Sequence, residues 1–144
     1  MAKRMFKKLN DDWNAEPNAP FEEVEVAQPD VLLRFRLNHW RYKQFQQGDI
    51  GVPRFSDCSR WRQGADNMDA FGYRQATSRY CRAAPAWGEF YEIVGDDPLR
   101  NQPDDWQQVG TEAKIARHFL FYFRDSSFEC VANDWSFSVD QASA

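Results

Sequence analysis

The sequence predicts a mainly β protein: an antiparallel β-barrel or sandwich of six to eight strands, with one or two short helices. Three observations lead there. His118 to Asn133 reads as a β-hairpin whose arms agree about which face is buried. Val31, Leu33, Phe35 and Leu37 alternate with Leu32, Arg34, Arg36 and Asn38, the period of a half-buried strand. The third is negative: no stretch supplies the long helical crossovers that parallel strands require.

The hairpin is the strongest single signal. A four-residue loop over Arg124–Ser127 sets Phe123 opposite Phe128, Phe121 opposite Cys130 and Phe119 opposite Ala132. Leu120, Tyr122, Glu129 and Val131 then share the second face, with Tyr122 opposite Glu129. A one-residue slip would set apolar against polar residues, so the pattern fixes which residues point the same way.

Along the chain, Met5, Leu9 and Trp13 recur at a spacing of four and predict a short N-terminal helix over 2–14, weakened by Lys3 and Arg4 at its positive end. Asn14 to Pro20 reads as a linker. Residues 1–20 therefore form a helix and linker, and residues 21–144 a single β-rich domain. Strands are predicted over Glu22–Val26 and Val31–Asn38, separated by the turn Gln28-Pro29-Asp30. Gln46 to Pro53 and Gly64 to Asp69 read as loops, with an indeterminate stretch over Arg54–Arg62. Tyr73–Arg82 and Trp87–Val94 are predicted as a second hairpin, and Pro103–Gly110 as a short helix with Pro in its first turn and Gly at its end. Ser136–Val139 adds a last short strand.

Composition bounds the class. With 144 residues, 16% of them aromatic, the chain is long enough for one domain with a large aromatic core. Three cysteines, Cys58, Cys81 and Cys130, are odd in number and widely spaced, which argues for reduced thiols and a cytoplasmic location. No signal peptide or membrane span is read. The net charge of −4 is segregated: residues 34–82 carry +6 and residues 83–112 carry −6. Basic strands beside acidic ones account for this, as does a binding surface.

Catalytic and metal motifs are sparse. His39 and His118 stand far apart, the cysteines lack zinc-ligand spacing, and neither GxSxG, GxGxxG nor GxxxxGK occurs. No metal, no cofactor and no catalytic residue is expected, and His118 reads as a strand-end histidine bonded to a neighbour or to solvent. Glu89 and Glu92 flank Tyr91 in an apolar strand, so at least one of them needs a partner, and Arg34 or Arg36 could supply it. If the second face of the aromatic hairpin looks into a cavity, Tyr122 and Glu129 are its polar anchors, and Arg34, Arg36, Tyr122 and Glu129 are the candidate ligand contacts. Arginines interleaved with aromatics over residues 34–82 suit single-stranded nucleic acid, but a sequence pI near 5.2 disfavours that reading.

The leading expectation is thus a non-catalytic protein-interaction module whose partner is another protein or a second copy of this chain. The alternative is a barrel with an interior pocket for a small anionic or amphipathic ligand, and the next is nucleic-acid binding by residues 34–82.

Overall fold

The computed structural model describes residues 4–63, 88–97, 100, 106–111, 116–123 and 126–142. Within them the chain forms ten strands: β1 (Met5–Lys8), β2 (Glu23–Ala27), β3 (Asp30–Arg36), β4 (Ile50–Ser56), β5 (Arg60–Gln63), β6 (Phe90–Val94), β7 (Gln107–Gln108), β8 (Arg117–Tyr122), β9 (Ser127–Ala132) and β10 (Asp134–Asp140). They build a six-stranded sheet ordered β1-β6-β8-β9-β5-β7 and a four-stranded sheet ordered β10-β4-β3-β2. Every named pairing is antiparallel.

The alternating residues of β3 explain how the sheets face each other. Val31, Leu33 and Phe35 point inward and are wholly buried, as are Phe55 of β4 and Phe119, Phe121, Phe128 and Cys130 of the β8–β9 hairpin. Phe35 packs on Phe121 with ring centroids 4.6 Å apart, and Phe55 on Phe119 at 5.3 Å and Phe128 at 5.5 Å. Each such ring contributes on the order of 1.5–3 kcal/mol through burial alone. Trp13, carried by the strap between β1 and β2, inserts at one side and stacks on Phe137 of β10 at 3.9 Å. The strap is tied at both ends, by the Leu9 amide to the Phe90 carbonyl (2.9 Å) and the Asn38 amide to the Asn14 carbonyl (2.9 Å).

The two sheets are stitched at the opposite end by short crossovers. Between β4 and β5, Asp57 takes a left-handed φ of 49°. The next two amides bond across it, Cys58 to the Pro29 carbonyl (2.8 Å) and Ser59 to the Val131 carbonyl (2.9 Å). Asn133, between β9 and β10, donates to the Ser56 carbonyl at 2.9 Å.

Several expectations are corrected. The architecture is a sandwich and not a closed barrel: each sheet ends on strands with no further partner among the described residues, β1 and β7 in one, β10 and β2 in the other. The described residues contain no helix. The N-terminal helix is replaced by β1, because Phe6 pairs opposite Ile93 and packs beside Tyr91, giving the segment a ready sheet edge. Met5, one of the three residues of the supposed helical stripe, is instead 66% exposed. The helix over Pro103–Gly110 fails in its described part, where Gln107–Gln108 pairs with β5. Ten strands exceed the six to eight expected, partly because β4 runs through Pro53 in a segment read as a loop.

The aromatic hairpin keeps its faces but not its register. Phe121 lies opposite Phe128, Phe119 opposite Cys130, and Tyr122 opposite Ser127, so Leu120 rather than Tyr122 faces Glu129. The loop has the expected four residues but occupies 123–126. A slide of two residues preserves the facing of every side chain, and burial therefore cannot distinguish the two registers. Tyr73–Arg82 and Gly64–Asp69 lie outside the described residues, and β6 is found between β1 and β8.

Candidate functional site

The outer face of the six-stranded sheet carries a cluster of buried charge. In β9, both faces are buried, so Glu129, pointing away from the aromatic core, still meets no water. Arg62 of β5, opposite it in register, grips it bidentately, Nε to Oε2 at 2.9 Å and Nη2 to Oε1 at 3.1 Å. His118 of β8 places Nε2 2.9 Å from the same Oε1. On the far side of the imidazole, Nδ1 lies 3.7 Å from Asp97 Oδ2, and Arg4 donates to Asp97 Oδ1 at 3.0 Å. Trp106 roofs the group: Arg62 Cζ stands 4.1 Å and Arg60 Cζ 4.6 Å from its ring. The indole N–H donates to the Arg100 carbonyl at 2.7 Å. Burial opposes ionisation of Glu129, but the hydrogen bond and charge of His118 together with the Arg62 guanidinium outweigh it and hold the carboxyl below its ordinary range.

A histidine between two carboxylates could hold or pass a proton. Here the side chains of Asp97, His118, Arg62 and Glu129 are 1–4% exposed, which suits an internal polar tie and gives a substrate no approach. Glu89 is a second buried acid. It is held by Asn10 Nδ2 (2.5 Å), Asn14 Nδ2 (2.8 Å) and Lys8 Nζ (3.3 Å), and not by Arg34 or Arg36. Asn10 in turn accepts the Phe90 amide at 3.0 Å, so the strap reads β6 through this carboxylate. Glu92 is gripped bidentately by Arg117 at 2.9 and 3.0 Å.

The sandwich does not gather Arg34, Arg36, Tyr122 and Glu129 into one site. Arg34 and Arg36 lie on the outer face of the small sheet, Arg34 paired with Glu25 and Arg36 with its guanidinium 4.5 Å from the Phe21 ring centroid. Tyr122 and Glu129 lie on the outer face of the large sheet, Tyr122 packing with Tyr91, Ile93 and Leu120. The space between the sheets is filled by rings. Arg54, also from the basic segment, pairs with Asp30 at 2.8 Å.

Among the described residues, β10 is a sheet edge with no further strand beside it. The Leu37 amide donates to the Asp49 carbonyl at 2.9 Å, which fixes the odd-numbered residues of β3 and β4 as those bonding each other. Pro53 then turns its hydrogen-free nitrogen toward β3, and the β3–β4 register is broken there, running Val31↔Phe55, Leu32↔Arg54 and resuming at Phe35↔Gly51. Even-numbered residues of β4 bond β10, where their partners are Asp134, Ser136, Ser138 and Asp140. Trp135, Phe137 and Val139 therefore direct N–H and C=O away from the sheet. The Trp135 amide is taken by Asp134 Oδ1 at 2.8 Å; those of Phe137 and Val139 point outward from the edge.

The other three edges are guarded. β7 has two residues, β1 has four with Lys7 and Lys8, and β2 carries Glu23 and Glu25. In β10, the five residues from Trp135 to Val139 carry no charge, and the three inward side chains are only half-buried. The hint in the sequence was the segment Trp-Ser-Phe-Ser-Val, which alternates without a charge. Among the described residues, no helix is long and apolar enough to cross a membrane. The class defined by these features is a two-sheet antiparallel β-sandwich with one long uncharged edge. Comparison with protein-family models, curated proteins and solved structures gave no match.

Proposed function

We propose that the protein is an interaction module, without a catalytic site, that docks an extended segment of another protein along β10. The observation that carries this reading is the seven-residue β10 edge, uncharged through its middle and presenting the Phe137 and Val139 backbone groups outward. An added strand would gain main-chain hydrogen bonds there, the mode of β-strand addition. Its inward side chains would cover Trp135, Phe137 and Val139. Burying apolar surface of this kind yields roughly 25 cal/mol per Å². The partner segment should alternate apolar residues with polar ones.

A second copy of this chain is a poorer occupant. Antiparallel self-pairing centred on Phe137 sets Asp134 opposite Asp140 at both ends of the ladder, and like charges directly opposite are unfavourable. A different chain, bearing Lys or Arg where Asp140 would pair, fits better.

The test is selection of seven-residue peptides from a random displayed library, with Val139→Pro as control. Proline there removes an outward N–H and leaves the bonds to β4 untouched. The expected result is a set of binders with alternating apolar residues whose affinity falls at least tenfold on Val139→Pro while the circular dichroism spectrum is retained. Binders indifferent to Val139→Pro, or no binders, would overturn the reading.

A further inference from the structure

The six-stranded sheet reaches one strand further out than the four-stranded sheet that covers it. Two contacts fix where β10 stands. Trp135 lies edge-on against Phe90 of β6, with ring centroids 5.0 Å apart. Arg117 joins Glu92 of β6 to Asp134 of β10, both at 2.9 Å. β10 therefore runs over β6, and β1 pairs with β6 on the side away from β8. Met5 lies opposite Val94 and Lys7 opposite Glu92, so all four share the face that carries Phe90 into the aromatic core. That face looks toward the small sheet, which has no strand beyond β10 among the described residues. Burial records the step: Phe90 is wholly covered, whereas Val94 is 45% and Met5 66% exposed.

We propose that this ledge is a second wall of the β10 docking site, and that the segment it takes presents a large apolar side chain and a carboxylate to it. The ledge has this role only if β10 is the docking edge described above. Strands within a sheet stand about 4.8 Å apart, and the two sheets of such a sandwich run within about 30° of each other. A strand added outside β10 therefore comes to lie over β1, as β10 lies over β6. Its inward side chains pack across the roughly 10 Å between sheets, and meet Met5 and Val94 at the end that passes Trp135. Lys7 supplies the charge. Glu92, its neighbour across the ladder, is held bidentately by Arg117, and no other carboxylate of the described residues pairs with Lys7. An Asp or Glu of the partner fits there.

Apolar residues exposed singly on a surface carry no such meaning. Val26 is one of these: 49% exposed on β2 at the opposite edge, it sits in a strand that carries Glu23 and Glu25. Met5 and Val94 are instead directly opposed on neighbouring strands, on the inner face of a sandwich, beside its uncharged edge. The ledge also gives the site a direction. It lies at the Trp135 end of β10 only, so a segment bearing its acid at the other end would set that acid beside Val139 and leave Lys7 unmatched. The partner is therefore a segment with Lys or Arg outward opposite Asp140, apolar residues inward along β10, and an inward acid at the end over β1.

The experiment pans a random displayed library of nine-residue peptides, long enough to pass Trp135, against the full chain and against Lys7→Glu. Binders of the parent should carry a large apolar residue and an Asp or Glu near one end, and binders of Lys7→Glu should carry Lys or Arg in place of that acid. Met5→Thr/Val94→Thr, which keeps β-forming residues in both strands, should weaken the parent's binders at least fivefold, and Val26→Thr should leave them unchanged. Circular dichroism checks that each variant is folded. Binders lost on Val139→Pro but indifferent to Lys7→Glu and to Met5→Thr/Val94→Thr would overturn the ledge and leave docking on β10 standing. An equal loss on Val26→Thr would overturn it as general stickiness. Binders indifferent to Val139→Pro, or no binders, would overturn both the ledge and the docking edge.

Discussion

The outer faces of the two sheets solve opposite problems with the same residue types. On the small sheet, Arg34 meets Glu25 and Arg54 meets Asp30, pairs whose arginine side chains are 35% and 49% exposed. On the large sheet, Arg62 meets Glu129 with both side chains 4% exposed or less. Solvent screens the first pairs and leaves them worth little. The second pair has surrendered its hydration and must be satisfied from within, which explains the convergence of Arg62 and His118 on one carboxylate. The large sheet is thus a layer between two cores, one aromatic and one polar, while the small sheet is an ordinary half-wet sheet. The half-wet small sheet is also the one that ends on β10, which has no further strand beside it among the described residues.

The contrast is broken most severely by Glu129→Gln. Glutamine removes the charge and turns one of the two acceptor oxygens into a donor, so the bidentate grip of Arg62 is lost, and breaking one partner of a buried pair costs about 3–5 kcal/mol. Urea unfolding should show that loss. Replacing both members, Arg62→Leu with Glu129→Leu, should recover much of it, since an apolar pair of similar volume often substitutes well. A loss below about 1 kcal/mol for Glu129→Gln would place this pair with the surface bridges.

Gly51→Ala probes the aromatic core that both sheets share. A Cβ at Gly51 would stand 3.0 Å from Leu37 Cδ2 and Phe35 Cζ and 3.1 Å from Phe137 Cε1. Phe35 and Leu37 are wholly buried and have little room to retreat, so overpacking should cost about 1–3 kcal/mol in the same unfolding measurement. Because Phe137 belongs to β10, the variant should also raise amide exchange along that edge strand.

The buried acid also sets a pH dependence of its own. Glu129 has its folded pKa lowered from a reference of 4.5, so its contribution is fully present above that value and fades as pH falls through the folded pKa. Stability should therefore decline with acid below about pH 4.5, and Glu129→Gln should flatten that part of the profile. An unchanged acid limb in the variant would show that other carboxylates dominate.

How much of this was legible depended on whether a feature is carried by one strand or by the meeting of several. The facing of β3 and of the β8–β9 hairpin followed from alternation, since a period of two is a property of each strand alone. Sandwich or barrel was not legible, because closure depends on whether edge strands find each other. The hairpin register escaped because Phe119, Phe121 and Phe123 are interchangeable under a two-residue slide. β4 escaped because Pro53 mimics a loop, although it needs only a gap in one ladder. Of the polar cluster, Glu129 was visible as an acid on an apolar strand. Arg62, in the aperiodic run Arg-Trp-Arg-Gln, and Asp97, before Pro98, gave no sign of being its companions.

The smallest expected effect completes the comparison from the wet side. Arg34→Ala deletes a guanidinium paired with Glu25 across the β2–β3 ladder, where Glu25 itself is 53% exposed. Exposed pairs of this kind contribute roughly 0–1 kcal/mol and weaken as salt rises. The variant should unfold within about 1 kcal/mol of the parent, with the difference vanishing in 1 M salt. The same salt titration on Glu129→Gln should leave its penalty nearly intact, because ions cannot enter to screen a buried pair. Equal salt sensitivity of the two variants would mean that water reaches Glu129 and that the large sheet, too, has one wet face.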